Sequence, residues 1–303
     1  MDVVIFGLKL TINPIAFTLK IGSFSWEIYW YGIIIALGFL LALVYGLRNY
    51  KRFNLDLDRM LDVVIVTVPV SVLCARAYYL IFDGEKLNSI GEFFGLGDGR
   101  GFSGLAIYGA VIGAFACGAL MCYIRKVNIL DMFDLGALGF LIGQGIGRWG
   151  NFINQEAFGG PTGSSWWGMT SENVVTDFYL KGYDVNALAH PCFLYESVWC
   201  IVGFFIIHKL SRKRKYSGQV ALMYAAWYGL GRGFIELFRT DSLMLGPFKV
   251  SALLSFLLTI AATALLIYFH KKQKETVTDK DYTAVFEDNA DKISKENEND
   301  KDN

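Results

Sequence analysis

Charged residues and paired cysteines are both scarce in this chain. Only 18% of its 303 residues are charged, whereas 54% are hydrophobic, and the mean hydropathy is +0.38. The five cysteines include no CxxC pair and no spacing typical of metal ligands, so they indicate neither a redox motif nor a zinc site. The formal net charge is zero, and we expect no nucleic-acid partner. We also expect no cofactor and no bound metal.

The hydrophobic residues are concentrated in seven long blocks. Several blocks approach the roughly 20 apolar residues that a helix needs to cross a membrane. Together they predict an all-α membrane protein with seven transmembrane helices, of which the fourth and fifth come from the shortest blocks. The blocks cover residues 28–47, 61–82, 105–124, 132–146, 193–207, 220–238 and 250–269.

The segments outside the blocks complete the predicted domain organisation. Residues 1–27 lack the basic start and unbroken apolar core of a signal peptide, so we expect an N-terminal outer amphipathic arm. The transmembrane domain covers 28–270 and contains a small outer head, at about 150–191, between helices 4 and 5. In the last segment, 271–303, 17 of 33 residues are charged, which predicts a disordered cytoplasmic tail.

Basic residues indicate the orientation of the chain in the membrane. Fourteen of them cluster on alternate connections and on the C-terminal flank, against eight on the opposite side. Because lysine and arginine are enriched on the cytoplasmic side, the N-terminus is predicted outside and the C-terminus in the cytoplasm. Seven spans also require the two ends to lie on opposite sides. The basic clusters are Arg48/Lys51/Arg52/Arg59, Arg125/Lys126, Lys209/Arg212/Lys213/Arg214/Lys215 and Lys271/Lys272/Lys274.

The run Gly147-Arg148-Trp149-Gly150-Asn151-Phe152-Ile153-Asn154-Gln155-Glu156 places charged and amide side chains at the end of an apolar segment. Such groups are costly at the mouth of a membrane helix and usually face a polar cavity, so they indicate a functional site. Glycines recur every fourth residue just before this run, a spacing that lets helix backbones approach closely. We interpret those glycines as a packing seam: Gly139, Gly143 and Gly147, with Gly109 and Gly113 on another block.

Further polar groups occur on the same predicted side. Arg232 and Glu236 are four residues apart, so they share a helix face and can pair. A buried ion pair that holds helices in register is one interpretation. Since a charged residue at mid-helix costs on the order of 3 kcal/mol on insertion scales, several of them together favour a shared polar cavity.

The predicted cavity contains more arginine than glutamate. Arginine binds phosphate through a planar fork, so this surplus of arginine suits an anionic phospholipid headgroup. The arginines are Arg76, Arg148, Arg232 and Arg239, against Glu156, Glu196 and Glu236.

His190 is the single histidine on the predicted outer side. A histidine at the start of a helix is commonly a structural hydrogen-bonding group, but it is also a candidate general base. Cys192 lies two residues further on, beyond Pro191. Residues at that separation do not face each other on a helix, which argues against a Cys–His nucleophile.

With these motifs in view, the chain resembles the bacterial prolipoprotein diacylglyceryl transferase family. The run from Gly147 to Glu156, followed by Gly159, is similar to the family signature. The order and spacing of the matching motifs extend over roughly residues 14–270. The further matches are Trp30-Tyr31-Gly32, Arg76, His190-Pro191 with Leu194-Tyr195-Glu196, and Arg232 with Glu236 and Phe238-Arg239.

The resemblance implies a reaction in the plasma membrane of bacteria. The diacylglyceryl group of phosphatidylglycerol is transferred to the lipobox cysteine of a prolipoprotein signal peptide, and glycerol 1-phosphate is released. Because the nucleophile belongs to the substrate, the enzyme needs no cysteine of its own. By matching position, Arg148 and Arg232 are expected to bind the phosphate and stabilise the leaving group. The other implied site residues are Tyr31, Asn151 and Asn154 for the headgroup, Glu156 and Glu236 beside the arginines, and Arg239, Arg76 and His190 around them.

The third block departs from the family pattern. Some relatives have a histidine in a His-Gly-Gly stretch there, proposed as the base, whereas this chain has Ile107-Tyr108-Gly109-Ala110. Tyr108 is therefore a candidate catalytic residue in place of that histidine. Because an ordinary tyrosine has a pKa near 10, it is a poor base at neutral pH. Activation of the thiol by arginine is the working hypothesis.

Two other classes of protein compete with the transferase. A polytopic transporter or channel for a small anion could also place arginines along its path, but transporters commonly contain internal repeats. No repeat between the halves is evident here. A membrane scaffold without catalysis would not need arginines at four positions.

Overall fold

The computed structural model is a bundle of long helices with short strands at one end. It describes residues 2–21, 24–83, 93, 104–242, 244–246 and 248–273. Six of the described helices are long and apolar enough to cross a membrane, which confirms the prediction of a mostly helical membrane protein. The helices are α1 (Trp30–Asn49), α2 (Leu57–Asp83), α3 (Ile107–Ile124), α4 (Ile129–Asn154), α5 (Glu172–Lys181), α6 (Cys192–Ser211), α7 (Gln219–Phe238) and α8 (Val250–Gln273), with a 3-10 turn at Tyr50–Phe53 after α1.

Helix α7 is the long helix outside that group of six. It has 20 residues, but Arg232 and Glu236 lie within it and lower its apolar character. Helices α4 and α6 are longer than the blocks from which they were predicted. Their ends carry polar side chains, such as Arg148 and Asn151 on α4, that interrupt an apolar pattern without interrupting the helix.

Short strands were absent from the all-α prediction. Strand β1 (Asp2–Ile5) pairs antiparallel with β2 (Leu8–Thr11) and with β5 (Met169–Ser171). A second hairpin leads directly into α1, and a third follows α7. Because strands of two to seven residues carry too few positions for a clear alternation, the sequence pattern did not reveal them. The remaining strands are β3 (Ile15–Ile21), β4 (Phe24–Tyr29), β6 (Met244–Leu245) and β7 (Phe248–Lys249).

The N-terminal strands and the segment after α4 share one small hydrophobic core. Val3 from β1 and Met169 from β5 are buried there with Phe178 from α5. Phe152 and Phe193 stack in the same cluster with ring centroids 4.8 Å apart, which connects it to α4 and α6. Residues 2–12 of the predicted arm therefore pack against the predicted head as one unit. Of the predicted tail, residues 271–273 belong to α8, and 274–303 lie outside the described residues.

The glycine seam brings α1 and α4 together. A Cβ added at Gly38 would lie 3.4 Å from the Gly143 backbone, and one at Gly147 would lie 3.1 Å from the Ile35 side chain. This close approach confirms the interpretation of the glycine repeat as a packing seam. It also places the beginning of α1 beside the polar end of α4.

A buried ion cluster stabilises the end of the bundle where the basic connections lie. Arg214 Nη1 lies 2.8 Å from carboxylate oxygens of both Asp131 and Asp134. Asp134 also accepts hydrogen bonds from the backbone N–H groups of Gly218, at 2.9 Å, and Ala221, at 2.8 Å. These donors belong to the N-terminal end of α7, where a carboxylate complements the helix dipole.

Two tryptophans join α6 to α7 by exchanging hydrogen bonds. Trp199 Nε1 donates to the carbonyl of Trp227 at 2.9 Å, and Trp227 Nε1 donates to the carbonyl of Trp199 at 3.0 Å. The rings stack with centroids 4.4 Å apart. Gly203 and Gly231 make room for the indoles, since a Cβ at either position would collide with the facing ring. The four residues fix the register between these two helices.

Replacing Gly231 by alanine is therefore expected to destabilise the protein. The new methyl group would displace the Trp199 indole and break both exchanged hydrogen bonds, and overpacking of this kind typically costs about 1–3 kcal/mol. Thermal unfolding of the purified protein in detergent should show a lower midpoint. Gly136→Ala is the matched control on α4, because its Cβ would have nothing within 4 Å. An unchanged midpoint for Gly231→Ala would show that the indoles do not set the helix packing.

Candidate active site

Glu196 on α6 is the centre of a polar network at the end of the bundle opposite the ion cluster. Its side chain is only 2% exposed. Oε1 accepts hydrogen bonds from Arg148 Nη2 at 2.5 Å and from the Tyr228 hydroxyl at 2.9 Å, and Oε2 accepts one from Arg232 Nη1 at 3.1 Å. One carboxylate thus joins the arginines of α4 and α7.

A second buried carboxylate belongs to Glu236, which lies one helical turn after Arg232 on α7. Arg232 Nη2 is 2.6 Å from Glu236 Oε2, which confirms that the two residues pair. Arg239 Nε approaches the same oxygen at 4.0 Å. Among the described residues Glu236 Oε2 has no aligned hydrogen-bond donor, so the attraction is mainly electrostatic. Arg232 consequently bridges two carboxylates.

The cations of this network are more accessible than the anions. The side chains of Arg148 and Arg232 are 22% and 20% exposed, against 2% for Glu196 and 3% for Glu236. The carboxylates therefore lie behind the guanidinium groups and hold them in place. An anion that approaches from the open side meets positive charge and unused N–H donors first.

Asn151 and Glu156 extend the network along the end of α4. Arg148 Nη1 donates to Asn151 Oδ1 at 3.2 Å, and Asn151 Nδ2 donates to Glu156 Oε1 at 2.8 Å. Gln155 ends the helix in a left-handed conformation, with φ 55°, and the N–H of Glu156 returns to the carbonyl of Asn151 at 3.0 Å. This turn brings Glu156 back against the helix that carries Arg148.

Tyr31 and Asn154 lie at the same end of the bundle. Tyr31 opens α1, and its ring covers Gly150, where an added Cβ would be 2.6 Å from Tyr31 Cδ2. Asn154 is the last residue of α4, and its carbonyl accepts a hydrogen bond from Asn173 Nδ2 at 3.4 Å. Tyr31 therefore lies against the helix that carries Arg148, and Asn154 lies at the end of that helix.

Arg239 is held just beyond α7. It forms a two-pronged pair with Asp241, with N···O distances of 2.9 and 2.6 Å. Burial opposes ionisation of Asp241, but hydrogen bonds from Arg239 outweigh it and lower the pKa of this carboxyl. Lys249 Nζ donates to the carbonyls of Glu236, Leu237 and Arg239 at 3.0, 3.0 and 2.5 Å, which caps the end of α7. Asp241 and Lys249 were not among the predicted site residues.

His190 bonds to aromatic residues in this structure. Its Nδ1 is 3.1 Å from the Tyr195 hydroxyl, which also accepts a hydrogen bond from Trp167 Nε1 at 2.8 Å. Burial lowers the pKa of His190, which favours the neutral form of its imidazole. These contacts favour a structural role over the proposed general base.

Arg76 and Tyr108 belong to the α2–α3 part of the bundle. Arg76 is buried and donates to the carbonyls of Phe93 at 3.2 Å and Gly104 at 3.3 Å. Tyr108 is 69% exposed, and its described ring contact is with Tyr78 at 6.3 Å. The hydrogen bonds that the structure describes for Arg76 therefore join α2 to the connection before α3. In the Glu196 network the guanidinium groups are more exposed than the carboxylates, so the open side is positive.

The sequence analysis counted Glu196 among the acidic residues of the predicted cavity without assigning it a role, and it passed over Tyr228. Glu196 stood in a recognised motif, yet nothing local showed that it would meet two arginines from other helices. Tyr228 could have been found, because it precedes Arg232 and Glu236 at intervals of four residues on one face of α7. Tyr224 continues this polar face toward the bundle interior and accepts a hydrogen bond from Gln144 Nε2 at 3.0 Å.

Comparison with known proteins agrees with the motifs. A family model described as prolipoprotein diacylglyceryl transferase matches residues 14–268. A protein of Clostridium novyi (strain NT), named phosphatidylglycerol–prolipoprotein diacylglyceryl transferase, is 40% identical over 266 residues, covering 88% of this chain and 99% of its own. Proteins with the same name from Clostridioides difficile (strain 630) and Listeria innocua (serovar 6a) are 38% and 39% identical. They cover 88% and 85% of this chain, and 100% and 90% of their own. The chain belongs to the prolipoprotein diacylglyceryl transferase family.

Proposed function

We propose that this protein transfers the diacylglyceryl group of phosphatidylglycerol to the cysteine thiol of a prolipoprotein. The observation that carries the proposal is the pair of arginines, Arg148 and Arg232, held by the buried carboxylate of Glu196 with their open sides exposed. Such a pair fits a phosphate diester in a membrane. The family membership and the apolar helices support a reaction in which lipid and enzyme share one bilayer.

In the proposed reaction the thiol sulfur attacks the glycerol carbon that bears the phosphate. The carbon–oxygen bond to phosphate breaks as the carbon–sulfur bond forms, and the thiol proton passes to solvent or to the leaving phosphate. Glycerol 1-phosphate leaves, and the protein product is a thioether. Because charge grows on the departing phosphate, donors that are already in place lower the barrier. Arg148 and Arg232 are those donors, and Glu196 and Glu236 position them.

The same arginines favour the thiolate. A free thiol has a pKa of about 8.5, and nearby positive charge lowers it. Neither Tyr108, which is largely exposed, nor His190, which is bound to Tyr195, contacts the arginines through any hydrogen bond that the structure describes. Thiol activation by positive charge therefore needs no dedicated base among these side chains.

We place the arginine network at the outer end of the bundle and the basic connections in the cytoplasm. In this orientation the N-terminus is outside, α7 also crosses the membrane as the sixth of seven spans, and the unit formed by arm and head lies on the outer surface. The excess of basic residues on the connections after α1, α3 and α6 supports this placement. A lipobox cysteine at the outer surface would then lie level with Arg148.

The direct test is an assay of the purified protein with phosphatidylglycerol vesicles and a lipobox peptide. We expect the peptide to gain the mass of one diacylglyceryl group, with release of an equal amount of glycerol phosphate. A peptide with serine in place of cysteine is the control. A transporter or channel for a small anion would form neither product.

Tyr108→Phe is expected to keep activity within about threefold, because removal of a hydroxyl outside the catalytic contacts usually has a small effect. The same assay gives kcat and KM for both substrates. Tyr123→Phe, which removes the hydroxyl of another exposed tyrosine on α3, is the matched control. Complete loss of turnover for Tyr108→Phe alone would restore Tyr108 as the base.

A further inference from the structure

A shallow cavity that is open to the surface lies beside the arginine network, in the unit formed by arm and head. It has a volume of about 390 Å³ and is bounded by the end of α4, by α5 and by the segment that follows α7. We call it the head cavity. Its lining combines apolar residues such as Phe158 and Leu180 with the polar residues Gln155, Glu156, Asn173, Thr176, Asp177 and Asp241.

Gln155 lines the head cavity and lacks polar partners. Its side chain is buried, with 1% of the residue exposed, and neither Nε2 nor Oε1 has a hydrogen-bond partner among the described residues. Buried polar atoms are ordinarily bonded, so an unpaired carboxamide calls for an explanation. A carboxamide offers one donor group and one acceptor, which matches the N–H and C=O of a peptide group.

The wall of the head cavity is acidic. Glu156, Asp177 and Asp241 all line it. Asp177 is paired with Lys181 at 2.5 Å and accepts a hydrogen bond from the Thr240 hydroxyl at 3.1 Å, so its position is fixed. Among the described residues no group of three or more histidine, cysteine or acidic side chains has the geometry to hold a metal ion.

The head cavity connects to the arginine network through two of its own residues. Glu156 accepts a hydrogen bond from Asn151, which in turn accepts one from Arg148. Asp241 pairs with Arg239. A single side chain, Asn151, therefore separates the cavity residue Glu156 from the phosphate-binding residue Arg148. The cavity lies at the end of the helix bundle, beside the head.

We propose that the head cavity receives the polypeptide segment that follows the reacting cysteine of the substrate. This assignment rests on the proposed function. When the reacting cysteine lies at Arg148, the substrate polypeptide that follows this cysteine leaves the membrane on the side where the cavity lies. Gln155 pairs with a peptide group of this segment, and the acidic wall favours basic or neutral side chains over acidic ones.

The test compares two lipobox peptides that differ only in the second and third residues after cysteine, which are lysine in one and glutamate in the other. With phosphatidylglycerol vesicles, the wild-type protein should show a kcat/KM about fivefold higher for the lysine peptide, the size expected for partly screened charges. Thr176→Lys adds a positive charge on the cavity wall and should abolish or reverse this preference. Glu172→Gln changes the charge of α5 by the same amount outside the cavity and should leave the preference unchanged.

Gln155→Met provides an independent measurement, because methionine keeps the length of the side chain without its two polar atoms. We expect a several-fold higher KM for both peptides and an unchanged KM for phosphatidylglycerol. Equal rates for the two peptides in the wild type, or an unchanged ratio in Thr176→Lys, would overturn the cavity assignment while leaving the transferase activity intact. If no thioether forms with any peptide, the proposed function itself fails.

Discussion

Replacing Glu196 by glutamine is expected to lower kcat/KM by at least about 100-fold, since removing one partner of a buried ion pair commonly costs about 3–5 kcal/mol. The substitution keeps the shape of the side chain but removes the negative charge that holds Arg148 and Arg232 together. The two guanidinium groups would then repel each other. The amide would also point N–H groups at donors that need an acceptor. Both arginines would lose their position relative to the phosphate.

The measurement is the turnover of phosphatidylglycerol and lipobox peptide by protein that elutes as a single folded species in detergent. Glu27→Gln, at an exposed glutamate of the β4 strand, is the matched control and should behave as wild type. Turnover of Glu196→Gln within threefold of the wild type would mean that the carboxylate does not position the arginines.

Replacing Arg148 by lysine is the second substitution with a large expected effect. The guanidinium of Arg148 reaches Glu196 with one nitrogen and Asn151 with another, and still exposes part of its edge. A lysine ammonium is a compact point charge, so it cannot donate to Glu196, to Asn151 and to a phosphate at the same time. Loss of one such donor to a developing anion costs about 100- to 1,000-fold in kcat.

The expected change in Arg148→Lys lies mainly in kcat, with a smaller rise in the KM for phosphatidylglycerol. Arg125→Lys tests the same exchange at the basic end of the bundle, where Arg125 pairs with a half-exposed Asp62. That control should retain full activity. If Arg148→Lys were active and Tyr108→Phe inactive, activation of the thiol by arginine would be wrong.

The sequence predicts most of the residues in this site because they occur in short local motifs. The pairing of Arg232 with Glu236 follows from their spacing on one helix, and the turn from Asn151 to Glu156 lies within one run. The central role of Glu196 depends on the packing of α4, α6 and α7. No local pattern carries that information, because its partners lie 48 and 36 positions away in the chain.

Two sets of contacts in the structure could not be predicted from the sequence. The pairing of β1 with β5 joins residues 2–5 to residues 169–171, and such distant pairing of short strands leaves no periodic pattern. Arg76 was predicted as a site residue because it lies in an apolar block and matches the family. In the structure it donates to carbonyls of the connection between α2 and α3, which satisfies a charge that would otherwise be costly in a membrane.

The exchanged indole bonds of Trp199 and Trp227 have a consequence for motion. They hold α6 against α7, and the hydrogen bond from Ser197 Oγ to the Gly145 carbonyl, at 2.7 Å, attaches α4 to this pair. Separating these three helices would dismantle the arginine network. A lipid that entered from the bilayer between these helices would therefore disturb the site that it has to reach.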